Sequence, residues 1–299
     1  MIHMVDSPED RRDNRSSTPT PDPTPSVVRS GSRWQTPLLI GTPTLGKVRI
    51  EWANALNHMV LPVNLSLVST QMPYYYFAPL FYHVAEAQNL IVREALEPGK
   101  PYEWILFIED DVVVPPTILL QLAKWMHDGR FPVVSGWYNV KSVPPQPMFF
   151  RGRGNGPLCH SPAEVDQYVE PINPDLHLRG ILCDGVPTGC LLVSVKLLRV
   201  AWEDSPPLTV TRVGREDGSI FQLQTREIFR TTREAGIDPM TGGYYKRLGT
   251  SDLEFCDRAI DRGWLKAAGF SDAALLEFPY PVDTDIRCGH IDLSSGVIY

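Results

Sequence analysis

No apolar run in the 299-residue chain approaches the roughly 18 residues that a membrane-spanning helix needs. The first residues, MIHMVDSPEDRRDNRSS, hold no apolar segment of the signal-peptide kind. Positive charge is also short. Lys and Arg number 28 against 35 Asp and Glu, a net charge of -7, so the chain has no basic footprint for nucleic acid. No polybasic segment or basic amphipathic helix suggests a membrane surface. Cysteines are few and odd in number: Cys159, Cys183, Cys190, Cys256 and Cys288, with no CxxC spacing. That excludes a paired disulfide framework, and a structural zinc on Cys288 and His290 would lack the usual tight Cys pair. The thiols read as reduced, in a cytoplasmic protein.

What is present divides at residue 34. Residues 1–34 contain TPTPDPTP, Ser-rich flanks and almost no large apolar side chains, so they cannot bury enough surface to offset ordering entropy. They read as a disordered, partly polyproline-like tail. Residues 35–299 read as one globular domain. Leu38 to Gly41 reads as a short buried strand breaking into a Thr/Pro/Gly loop. VRIEWANALNHMV carries a helical rhythm, with Ile50, Ala53, Leu56 or Asn57, and Val60 on one side and Pro62 ending it. VNLSLVST alternates as a second strand. VAEAQNLIVREALEPG is a second helix, with Val84, Ala87, Ile91 and Ala95 on one face. WILFI is a continuous apolar run of the kind a central strand makes.

Strand, helix, strand, helix, strand argues for an α/β domain with a largely parallel sheet flanked by helices. TILLQLAKWMHDG places Ile118, Leu119, Leu122, Trp125 and Met126 on one face of the next helix, closed by Gly129. PVVSGWYN reads as a fourth strand and Cys190 to Val195 as another. Residues 141–180, rich in Pro and Gly, read as a loop, and 203–250 as an insertion with short elements.

Ligands of such sheets collect at the carboxyl ends of the strands. There, straight after WILFI, stand Glu109, Asp110 and Asp111. Three adjacent carboxylates repel one another unless a cation joins them, and hard oxygen donors suit Mg²⁺ or Mn²⁺. Extended backbone would put Glu109 and Asp111 on one side and Asp110 on the other. In TSDLEFCDRAIDRGW, Ser251 or Asp252 falls at a helix start. Asp252 is there either a cap or a general base. His290 in DIRCGHID is either a nitrogen ligand for the same ion or an ordinary satisfied histidine. Asp184, Gly185, Thr188 and Gly189 in CDGVPTGC form either a tight turn or part of the acceptor side. Trp137 and Tyr138 either stack on a sugar or pack in the core.

Taken together, LLIGTPTLG, AQNLIVREAL, WILFIEDDVVVPP, VVSGWYNVKSVPPQP, VPTGCLLVSVKLL, GTSDLEFCDRAIDRGW and CGHID resemble the GT-A glycosyltransferases. The closest likeness is to family-2-like members common in bacteria and phages. It spans about residues 36–292 and is poor over 203–248. The resemblance implies a Rossmann-like GT-A fold and a D-x-D motif at Glu109-Asp110-Asp111, with Glu109 in place of the first aspartate. It implies a metal site of Glu109, Asp111 and His290, taking Mn²⁺ or Mg²⁺, and Asp252 as the base of an inverting transfer. Nucleotide contacts are implied at Thr42, Pro43, Asn89 and Asp110, with Gln88 where an arginine is usual. The donor would be a UDP- or GDP-sugar, and the acceptor is unspecified. Two rival readings stand beside it. One is a nucleotidyl-transferring metal enzyme, against which the chain has neither a G-x-x-x-x-G-K-[ST] loop nor a Gly-rich loop after strand one. The other is a non-catalytic carbohydrate-binding scaffold.

Overall fold

A computed structural model of the chain describes residues 37–62, 66–67, 76–152, 157–213, 219–237 and 244–299. The reading of 1–34 as a tail lies outside these, as does most of VNLSLVST.

WILFI is strand β4, Trp104–Ile108, and every one of its residues is buried. Ile105 and Phe107 pack into one core layer and Trp104, Leu106 and Ile108 into the other. Burial on both faces is why the run is continuous instead of alternating. Around it lie β1 (Pro37–Gly41), β2 (Ser66–Leu67), β3 (Tyr76–Phe77), β6 (Val133–Trp137), β7 (Glu170–Asn173), β8 (Leu178–Cys183), β9 (Cys190–Ser194) and β14 (Tyr280–Arg287). They form one nine-stranded sheet in the order β2-β1-β4-β9-β6-β14-β8-β7, with β3 also on β1. All but β8 and β9 run in one direction. The sheet is therefore mostly parallel, as the alternation of elements predicts.

The exception at its centre matters. β9 runs antiparallel to β4, with Ile108 opposite Cys190. The residues before β9 therefore arrive beside the carboxyl end of β4.

Helix α2 (Val84–Leu96) and helices α4 (Val195–Asp204), α5 (Ser251–Asp261) and α6 (Trp264–Ala267) cover the layer holding Phe107. Helix α3 (Ile118–Asp128) covers the other through Ile118, Leu119, Leu122, Trp125 and Met126, the face its spacing predicts. Gly129 ends α3 at φ 67, a left-handed position that suits glycine. The remaining helix α7 spans Ser271–Ala274.

Two readings of the sequence are corrected. Helix α1 (Ile50–Asn57) buries Trp52, whereas Ile50 is 68% exposed and Val60, past the helix end, is exposed too. Trp52, off the predicted stripe, is its one buried side chain, while Leu56 on the stripe and Ala55 pack partly buried against the core. Residues 141–180 are not all loop, because β7 pairs with the start of β8. The short elements read in 203–250 are two antiparallel strand pairs, β10 (Pro207–Val213) with β11 (Ile220–Arg226) and β12 (Thr232–Ile237) with β13 (Tyr244–Gly249). All five cysteines are free and buried. Among the described residues no helix is long and apolar enough to cross a membrane.

Candidate functional site

The chain turns immediately after β4. Val112 N donates to Glu109 O at 3.1 Å, and a short strand β5 (Val112–Val113) follows. This turn replaces the extended geometry that would alternate the three carboxylates, so Asp110 and Asp111 line the same cleft. Trp52 pins the turn from α1, donating its indole N–H to Glu109 O at 2.8 Å.

His290 reaches Asp111 through strand register. Strand β15 (Gly289–His290) pairs with β5, placing His290 opposite Val112, and Ile291 N donates to Asp111 O at 2.7 Å. The last residues brace it: His290 and Tyr299 exchange both backbone hydrogen bonds. Nδ1 of His290 lies 2.8 Å from Asn139 O and Nε2 lies 3.4 Å from Asp111 Oδ2. A carbonyl only accepts, so Nδ1 carries a proton. Nε2 is then the nitrogen turned to Asp111, the arrangement second-shell carbonyls impose on metal-ligating imidazoles. Lys141, on the turn after β6, places its ammonium 2.5 Å from the same Oδ2. Burial pushes the Asp111 carboxyl up, but His290 and Lys141 outweigh it and hold it below the ordinary range.

Glu109 does not complete this pair, which corrects the expected three-residue metal set. Its Oε1 accepts from Thr188 Oγ1 at 2.8 Å. Among the described residues no group of three or more His, Cys, Asp or Glu side chains gathers to hold a metal ion. Two donors plus substrate oxygens still suit Mg²⁺ or Mn²⁺, which commonly bind one or two protein groups and phosphate. The imidazole tautomer fits that use.

Thr188 stands between Glu109 and Asp252. Its hydroxyl donates to Glu109 Oε1 at 2.8 Å, its backbone N–H favours the charged form of Asp252, and Gln88 Nε2 donates to its Oγ1 at 2.9 Å. Gln88 is thus a buried strut and not a replaced nucleotide contact. Gly189 has to be glycine here. A Cβ would lie 2.3 Å from Tyr138 Oη and 2.7 Å from Val112, and Gly189 N donates to that Oη at 3.0 Å. Asp252 lies in the first turn of α5 behind Thr250, the N-cap, so neither it nor Ser251 is the cap residue. Burial raises its pKa above the usual carboxylate value, against the opposing influence of Thr250, Leu253 N and Thr188 N. Burial, then the Asp111 charge, lift Glu109 to about 8.

The cleft beside Asp110 and Asp111 is about 430 Å³, lined also by Pro43, Lys47, Arg49, Tyr82 and Leu293. Burial raises Asp110, against hydrogen bonds from Thr44 and Leu45 N. Four predicted contacts fall elsewhere. Thr42 is wholly buried, with its N–H on Phe77 O, and does not line this cleft. Asn89 is engaged by the chain itself, donating to Phe229 O at 2.8 Å and accepting from Ile228 N and Phe229 N. Trp137 is a core residue whose indole donates to Thr284 O. Asp184 accepts from Gly152 N and so holds the 150–152 turn. Lys141, Lys47 and Arg49 escape sequence reading because isolated basic residues in loops look like solvated surface.

No family model and no curated protein matches the chain. Among solved structures, one described as the crystal structure of A197 from STIV is similar at 13% identity and a TM-score of 0.45, covering 86% of each chain. That likeness is too distant to bear on the chemistry.

Proposed function

We propose that the protein is a metal-dependent glycosyltransferase that moves a sugar from a nucleoside-diphosphate donor to an acceptor hydroxyl with inversion. One observation carries this reading: Asp111 with His290, Glu109 with Thr188, and Asp252 close enough to act on Glu109 meet at the carboxyl end of β4 from four separate segments. Asp111 and His290 would hold a divalent ion, with Asp110 beside them in the cleft. Such an ion neutralises charge on a departing diphosphate. The cleft between Pro43, Lys47 and Tyr82 takes the nucleotide, and its volume falls in the usual range of roughly 300–1,000 Å³ for small-molecule sites. Asp252, which accepts from Leu253 N, takes the proton from the attacking hydroxyl. Its raised proton affinity favours that role.

The test is calorimetric titration of UDP, GDP and CMP with Mn²⁺ and then with EDTA. Binding of one nucleotide that needs Mn²⁺ and disappears in Asp111→Ala is the expected result. Asp252→Asn should keep that affinity and lose about 10²-fold or more in turnover. Ion-independent binding, or an Asp252→Asn protein with full turnover, would remove the mechanism.

A further inference from the structure

The ammonium on Asp111 is what the reading above leaves unexplained. Lys141 and His290 converge on one oxygen, Asp111 Oδ2, at 2.5 and 3.4 Å. Lys141 donates into one lone pair of that oxygen, and His290 Nε2 faces it without donating. Among the described residues Lys141 is the only Lys or Arg paired with Glu109, Asp110, Asp111 or Asp252. Among the described residues, the one Lys or Arg charge set against the cluster therefore sits on a flexible side chain.

The support of Lys141 is built to let go. It stands on a turn closed by Val140 N to Gln146 O at 2.8 Å and by the Asn139–Pro147 bridge. Val143 at the tip is 90% exposed, and the Lys141 side chain itself keeps 29% exposure. Its four-carbon stem can carry the charge into solvent without moving the sheet. His290 has no such freedom, being fixed by β5, Tyr299 and Asn139.

We propose that Lys141 is a resident counter-ion. It occupies Asp111 when no divalent ion is bound, and ion binding is an exchange in which Lys141 is released. This rests on the reading of Asp111 and His290 as ion ligands. Like charges on one oxygen repel, so the ammonium and a divalent ion exclude each other there. The exchange keeps the carboxylates neutralised in both states and lowers affinity for the free ion.

Titration of Mn²⁺ alone, without nucleotide, tests this on the full chain. Lys141→Met should bind Mn²⁺ about tenfold more tightly, as expected when a competing cation is removed. Lys141→Arg, which keeps the charge, should stay within about twofold of the parent. A Lys141→Met protein that binds Mn²⁺ no better than the parent overturns the exchange and leaves the proposed function standing. Tighter Mn²⁺ binding by Lys141→Met, together with failure of every nucleoside diphosphate to bind in the separate nucleotide titration, supports the exchange and sinks the proposed function. Absence of Mn²⁺ binding in all three proteins overturns both.

Discussion

Glu109 and Asp111 stand two residues apart and lead opposite electrostatic lives. Asp111 has two cationic or proton-bearing neighbours and stays acidic, whereas Glu109 has a hydroxyl neighbour and rises to about 8. The sign of the stability effect follows. From its ordinary value of 4.5 to about 8, Glu109 holds a proton in the folded protein that the unfolded chain has lost. Stability then falls as pH rises through this window and levels off above it. Metal-free protein should melt at a lower temperature at pH 9 than at pH 6. Glu109→Gln, which still accepts from Thr188, should flatten that slope. An unchanged slope in the variant would place the pH dependence on other groups, Asp252 first among them. None of this is visible in the letters EDD, because a turn and not a strand decides where each carboxylate goes.

Elements, more than residues, were open to inspection in the sequence. WILFI, the α3 stripe and the Gly129 stop follow from periodicity and capping, which depend on neighbours along the chain. The direction of β9 does not, since nothing in CLLVS encodes which way it enters the sheet. Yet that direction brings Thr188 to Glu109, so half of the site depends on a topological fact. His290 is the same case, because its place opposite Val112 is a long-range register. Asn89 shows the reverse error: the family likeness implies a nucleotide contact there, but the residue clamps Ile228 and Phe229. Asn89→Ala should therefore cost about 2–4 kcal/mol of stability, by urea titration, through several lost buried hydrogen bonds. Nucleotide affinity in the folded variant should not change. A variant of parental stability with lost nucleotide binding would restore Asn89 to the cleft.

Across the whole molecule, two core layers share one sheet, and the strands between them belong to both. Cys190 and Cys288 lie in the layer that α3 covers, and Cys159, Cys183 and Cys256 in the other. Each layer thus carries its own natural probe. Burial pushes the Cys159 thiol up to about 11 and the Cys183 and Cys256 thiols higher still, so few thiolates are present at neutral pH to react. An alkylating reagent has to wait for the protein to open, and mass spectrometry can then time each layer separately. Because β4, β6 and β9 are common to both, all five sites should become modified over one narrow range of urea. Staggered labelling, with the pair of sites preceding the trio, would mean that the α3 side peels away first. The five cysteines amount to a clock wired into each half of the protein, read without adding a label.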